Sequence, residues 1–394
     1  MTLKNFFNCR ILRNHEIIDE QLWVRNGKII DPEKIFFDEK STPDVKIDCG
    51  GLIIAPGFID IQINGGYGVD FSHDTENIQE AVALVAGRII ENGVTSFCPT
   101  IVTSPVPVYR SILPKIQRTA GGSHGASILG IHVEGPFISP EKKGAHPPHC
   151  IREYSKGFDT VELAYGSFEN ISIVTLAPEL LNSEEIIRKL VERHIIVSLG
   201  HSVADLNQGE EACRNGATLI THLFNAMLGF HHRDPGLVGL LTSEKIPKPI
   251  FYGLISDGIH THPAAVRVAY KSHPDGVVLV TDAIAALGLA DGQYHLGQLD
   301  VEVRGERAML LGTDVLCGST SNLNQCVQKF HKFTKCSKAF ALEAASLHPA
   351  KALGIENHKG TLNYGADADF IFLNDDLHVQ STWIAGEKVF PSFS

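Results

Sequence analysis

Ile128-Leu-Gly-Ile-His-Val-Glu-Gly-Pro-Phe137 reads as a buried apolar strand that ends on a carboxylate, Glu134, and is stopped at once by a Gly-Pro turn. Burying an unpaired charge is costly, so a carboxylate at such a strand tip calls for a partner. Three other apolar runs end in the same manner. Ile195-Ile-Val-Ser-Leu-Gly-His201 and Ala217-Thr-Leu-Ile-Thr-His222 end on histidines, and Gly276-Val-Val-Leu-Val-Thr-Asp282 ends on an aspartate. Four strand tips carrying Glu, His, His and Asp predict a metal-centred active site.

Around these runs the pattern is strand–helix alternation. Eight strands are predicted, at 57–63, 94–100, 127–133, 171–176, 195–200, 217–222, 251–256 and 277–281. Most are continuous apolar runs, as expected for parallel strands covered on both faces. Helices are predicted at 76–92, 182–194, 203–215 and 263–272, with Asn182 and Glu185 spaced as a capping box. Eight parallel strands with crossovers imply a (β/α)₈ barrel, and active residues in such barrels sit at the C-terminal strand ends. The four chemical tips are all C-terminal. Two crossovers, 135–157 and 223–249, are long, and 283–320 carries a predicted hairpin; long loops on the catalytic face specify or cover a substrate.

The chain ends read differently. Residues 5–12, 17–24 and 28–30 are short strands with Asn26-Gly27 as a hairpin turn, and 359–362, 368–373 and 382–389 are strands separated by turn residues. Neither end supplies enough strands for a sheet alone, so the two are expected to pair. The predicted organisation is an α/β fold: a small β-sandwich domain from 1–54 and 356–394, and a barrel from 55–355.

The chain has 394 residues, is 43% hydrophobic and 20% charged, and carries a net charge of −11. That acidity argues against a nucleic-acid-binding surface. No apolar run is long enough for a membrane helix, and the N-terminal residues carry no signal-peptide core. The eight cysteines form no Cys-x-x-Cys pair, which disfavours a disulfide framework or thiolate zinc site and points to the cytoplasm.

Glu134, His201 and His222 form a ligand set suited to zinc or a similar divalent ion, with an open position for water; each alone is also readable as a polar residue satisfied at a strand end. Asp282 is the proton shuttle beside the ion, or else a helix N-cap. His260 either contacts substrate or caps its loop. His146 either polarises a carbonyl or faces solvent. Asn225 and Ala226 follow His222 closely enough for their amides to line the same pocket. Arg233, beside His231 and His232, either pairs with an anionic group or makes a surface ion pair. The tip of the first strand reads Asp60-Ile-Gln-Ile-Asn64, where two-metal barrel hydrolases carry His-x-His. Amides are poor ligands beside imidazoles, so one metal is expected.

Ala55-Pro-Gly-Phe-Ile-Asp-Ile-Gln-Ile-Asn-Gly-Gly66, His132-Val-Glu-Gly-Pro-Phe137, Gly144-Ala-His146, Gly200-His-Ser202, Thr221-His-Leu-Phe-Asn-Ala-Met227, Asp257-Gly-Ile-His260 and Val280-Thr-Asp282 together resemble the amidohydrolase superfamily. Within it they are similar to the N-acetylglucosamine-6-phosphate deacetylase family, over essentially the whole chain. The resemblance implies removal of acetate from a phosphorylated amino sugar. It implies one divalent metal per subunit on Glu134, His201 and His222, zinc first with cobalt or iron as alternatives, Asp282 as acid/base, and His146 polarising the acetyl carbonyl. Ala145, Asn225, Ala226, His260, Leu316, Cys317 and Gly318 would contact the sugar phosphate. It also implies a homodimer in which Arg233 reaches the neighbouring site. The competing expectations are an amidohydrolase acting on another N-acyl or cyclic amide, and a non-catalytic scaffold of the same fold.

Overall fold

The computed structural model describes residues 2–391; the last three residues of the predicted sandwich segment, 392–394, lie outside it. Eight parallel strands form the barrel: Phe58–Ile63, Val94–Val102, Ile131–Glu134, Ile171–Leu176, Ile196–Leu199, Leu219–Ile220, Phe251–Leu254 and Val277–Leu279. Each pairs in parallel with the next. They coincide with the eight predicted runs, because β-branched residues buried on both faces suit this sheet and little else.

The seam between the eighth and first strands closes differently. At its C-terminal end Asp282 N donates to Gln62 O at 2.8 Å, and Asn64 N to Ala283 O at 2.8 Å. At the other end the strands are wedged apart by the C-terminus of helix Lys338–Glu343. There Leu279 N donates to Ala344 O and Ile59 N to Ala345 O, both at 2.8 Å. The first strand's tip is therefore joined to Asp282 by backbone bonds.

The two chain ends share one sheet, in the order Glu387–Phe390, Val379–Ile384, Phe370–Leu373, Ile53–Pro56, Arg10–Arg13, Glu16–Asp19. A four-stranded sheet of N-terminal residues packs against it. Phe6, fully buried, sits edge-on to Phe370 and Trp383, each with ring centroids 5.1 Å away. Aromatic contacts of this kind exceed area burial by roughly 0.5–1.5 kcal/mol and hold the ends together.

Three local expectations fail. Asn182 adopts a left-handed backbone, with φ 70°, and its side chain makes no cap bond to helix Ser183–Glu192; in that conformation the amide turns away from the first turn, and the capping box does not form. The capping box forms instead at Asp205 and Gln208 of helix Leu206–Arg214. Residues 359–362 are not a strand: Lys359 turns in to pair with Asp369 and Asp367 at 2.6 and 3.0 Å. The expected hairpin is a three-stranded meander, Gly292–Leu296, Leu299–Arg304 and Arg307–Leu310, that presents Leu296 to the catalytic face. No helix among the described residues is long and apolar enough to cross a membrane.

Candidate active site

The third, fifth and sixth strand tips deliver Glu134, His201 and His222 to one point. His201 Nε2 and His222 Nε2 lie 2.9 and 3.0 Å from Glu134 Oε1, and 3.1 Å from each other. Two ring nitrogens this close cannot both carry protons, and two bare lone pairs repel; a cation between them relieves both. Donor atoms about 3 Å apart are also the spacing of ligands each roughly 2.0–2.1 Å from one ion. His201 Nδ1 donates to Lys142 O at 2.9 Å. A carbonyl only accepts, so the His201 proton is on Nδ1 and Nε2 presents its lone pair, as a ligand must. The three residues therefore fit a divalent ion.

His201, His222 and Asp282 have φ of 49°, 29° and 48°. Non-glycine residues held there cost of order 1–3 kcal/mol each and gather at functional sites. The sheet enforces them: Asp282 N is tied to Gln62 O, and Leu223 N to Gly253 O at 2.8 Å. No helix follows Asp282 directly; the next starts at Leu323, so the N-cap alternative falls away.

Asp282 Oδ1 accepts from Asn64 Nδ2 at 2.8 Å and Gln62 Nε2 at 3.3 Å. Burial, then the charge of Glu134, push its pKa up to about 6, against the opposing influence of His222 and the Asn64 donor. A carboxyl poised there suits proton transfer near neutrality. Burial opposes ionisation of Glu134, but the imidazoles of His201 and His222 against Oε1 outweigh it and hold the carboxyl well below its usual range. His146 is buried beside His201, ring centroids 4.4 Å apart, and burial drives its pKa down to about 3. It faces the site as a neutral imidazole.

These groups surround a cavity of about 150 Å³ that is also lined by Ala145, Asn225, Ala226, His260, Leu316 and Gly318. Asn64 Oδ1, His222 Nδ1 and His260 Nε2 are buried without a partner among the described residues, on side chains that line this cavity. Buried polar atoms are rarely left unpaired, and three around one cavity mark a place for a ligand. His260 is oriented by Asp257, whose Oδ2 holds Nδ1 at 2.7 Å. Cys317 is placed otherwise: it is buried behind the lining, its thiol 3.5 Å from Val315 O. Arg233 is exposed on its loop and does not line this cavity, and its guanidinium meets no acid among the described residues. A larger hollow of about 550 Å³ lies at the N-terminal end of the barrel, the end that carries stability rather than catalysis in such folds.

Four contributors were given no role in the sequence. Gln62 and Asn64 stood out there as non-ligands and within the family resemblance, and both donate to the site's carboxylates. Asp257 stands three residues before His260, a spacing that lets a loop carboxylate orient an imidazole. Thr103, after the second strand, gave no signal.

The Amidohydrolase family profile matches residues 53–389. N-acetylglucosamine-6-phosphate deacetylases of Bos taurus and Homo sapiens are each 59% identical over 387 residues, spanning 98% of this chain and 95% of theirs. The crystal structure of the N-acetylglucosamine-6-phosphate deacetylase of Thermotoga maritima superposes with a TM-score of 0.83 at 30% identity, over 98% of this chain and all of that one. With the barrel, the strand-tip cluster and this full-length similarity in hand, the chain belongs to the amidohydrolase family.

Proposed function

We propose that this chain hydrolyses N-acetyl-D-glucosamine 6-phosphate to D-glucosamine 6-phosphate and acetate, as a step of amino-sugar breakdown. The observation that carries the reaction is the Glu134–His201–His222 triangle beside a carboxyl, Asp282, with a raised pKa. The substrate follows the name shared by full-length relatives at 59% identity.

Glu134, His201 and His222 would hold one divalent ion, zinc in the first instance and cobalt or iron as alternatives. When bound, such an ion polarises a carbonyl and lowers the pKa of water. Asp282, as the carboxylate, takes a proton from the attacking water and passes it to the departing nitrogen. Asn64 and Gln62 hold its Oδ1 during both transfers. His146 donates to the acyl oxygen as negative charge builds there, where a preorganised donor counts most.

The cavity, about 150 Å³, is below the roughly 300 Å³ at which whole-ligand pockets begin. It encloses the acyl end, and the sugar phosphate extends past Ala145, Asn225, Ala226, His260 and the Leu316-Cys-Gly318 turn towards the opening. The free guanidinium of Arg233 supports a homodimer in which it meets the phosphate of the neighbouring site. Eight cysteines, all free, support a reducing cytoplasmic location.

Acetate release from the phosphorylated sugar, before and after chelation, tests this reading, with unphosphorylated N-acetylglucosamine as control. Chelator-sensitive release from the phosphorylated sugar alone is expected. No release after zinc, cobalt and iron have each been restored would overturn it.

A further inference from the structure

The two histidines that face each other across the site are wired oppositely. His201 Nδ1 meets a carbonyl, which fixes its proton on Nδ1. His146 Nδ1 meets the backbone N–H of Thr103 at 3.3 Å and the Thr103 hydroxyl at 2.7 Å. A backbone N–H can only donate, so Nδ1 of His146 must accept. An accepting Nδ1 carries no proton, so the one proton of the ring resides on Nε2. That nitrogen has no partner among the described residues, and His146 borders the cavity beside Glu134 and His201.

From this geometry we infer that Thr103 is the positioning residue that holds His146 in the Nε2–H tautomer, making it a hydrogen-bond donor to the reacting acyl oxygen and barring it from the ion. The inference rests on the proposed role of His146 and deepens it. An imidazole with its lone pair on Nε2 would compete as a fourth ligand, since a ligand atom of His146 lies within 4.8 Å of those of Glu134 and His201. With the proton there, the same ring can only donate.

The fold is built around this contact. Thr103 is fully buried, directly after the second strand, and its hydroxyl also lies 3.4 Å from the carbonyl of Glu134. Gly135 follows Glu134 with φ 84°, and a Cβ there would stand 2.1 Å from Thr103 Oγ1. The glycine after the metal-ligating carboxylate thus leaves room for the hydroxyl that sets the histidine. Glu134 and His146 are thereby registered against one side chain.

The test has two arms. In the first, ¹⁵N-histidine-labelled, zinc-loaded protein is examined by long-range ¹H–¹⁵N NMR, with His146 assigned through His146→Asn. A single Nε2–H tautomer is expected; a proton on Nδ1 overturns the inference whatever the kinetics show. In the second, Thr103→Val should lower kcat about 10- to 100-fold, the range for lost outer contacts of a metal site, with KM little changed and one zinc retained. Thr103→Ser should restore most of the loss. Unchanged kcat in Thr103→Val, or equal loss in the serine variant, would overturn the positioning role. His146→Asn separates the two claims: if it turns over normally, the role of His146 falls first, whereas a crippled His146→Asn with an Nδ1–H wild type removes Thr103 alone.

Discussion

The carboxamide of Gln62 donates from Nε2 to Glu134 Oε2 at 3.2 Å, which leaves Oε1 to face both imidazoles. The same nitrogen lies 3.3 Å from Asp282 Oδ1, so one amide spaces the two carboxylates of the site. Where two-metal barrel hydrolases carry ligands, the first strand supplies amide donors to both acids. Gln62→Met keeps the shape and removes the donor. It should weaken zinc retention about 10- to 100-fold, read by competition with a chromogenic chelator. Retention equal to wild type would show that Glu134 needs no such brace.

In the proposed reaction Asp282 must be an anion to take a proton from water, so kcat/KM should fall about tenfold per pH unit below its pKa. Burial and the charge of Glu134 set that pKa at about 6. A bound cation favours the anion and moves it down, which puts the acid limb at or below about 6. Asn64→Leu removes a hydrogen bond to the charged form, so the limb should move to higher pH. Asp282→Asn should lose about 10²–10⁴-fold in kcat with zinc still bound. A limb that stays put in Asn64→Leu would mean that another group titrates.

Retention of the ion should itself depend on pH, in a direction fixed by His222. Burial works against its charged form, but the hydrogen bond and charge of Glu134 outweigh this and raise its pKa above 6.5. A proton on His222 excludes the ion. Retention should therefore weaken as pH falls through a value above 6.5, seen as faster zinc loss to chelator at pH 6 than at pH 8. For the chelated protein the same pair gives a stability window. The raised His222 stabilises below its unfolded pKa of about 6.5 and the lowered Glu134 above its unfolded value of about 4.3. The contribution of this pair to the stability of the chelated protein is greatest between these limits, read as the melting-temperature difference between wild type and His222→Asn across pH.

How much of this was legible depends on what a residue must do. Eight apolar runs specified the barrel because strands covered on both faces admit almost nothing else. That Glu134, His201, His222 and Asp282 come together was legible because a charged or ligating side chain at the end of such a run is costly unless it has a partner. Gln62, Asn64 and Thr103 were not, because an amide or hydroxyl at a strand end carries no comparable penalty. Their meaning comes from partners such as Asp282, 218 residues from Asn64 in the chain. Asn182 misled for the complementary reason: the capping spacing was present, but the backbone before the helix turned left-handed.

Gly318 should tolerate no side chain. Its φ is 45°, and a Cβ would stand 2.6 Å from both Asp282 O and Ile284 Cγ2. Ser319 N and Oγ bind Asp282 O and Thr281 O at 2.7 and 2.6 Å, so a shift here moves the tip that bears the acid. Gly318→Ala should destabilise by more than about 1 kcal/mol and lower kcat beyond what the melting temperature accounts for. A variant with normal kcat and normal melting would mean that the turn relaxes without moving Asp282.

The proposed dimer makes a prediction that no single-subunit reading shares. If Arg233 serves the neighbouring site, Arg233→Ala should raise KM for the phosphorylated sugar about tenfold or more, since a hydrogen bond between charged groups contributes roughly 1.5–3 kcal/mol, with kcat little changed. Arg233→Ala and Asp282→Asn are then each impaired as pure dimers, one lacking the anion clamp and the other the shuttle. In a mixed dimer the Asp282→Asn subunit still offers its arginine, and the Arg233→Ala subunit still has its acid, so one complete site is restored. Random reassortment of equal amounts should recover about a quarter of wild-type sites by two-fold symmetry, after brief subunit exchange. Recovery shows that the arginine acts across the interface. With the KM effect present and no recovery despite verified exchange, Arg233 works within its own subunit, and the loop at 228–233 would have to fold back onto its own cavity.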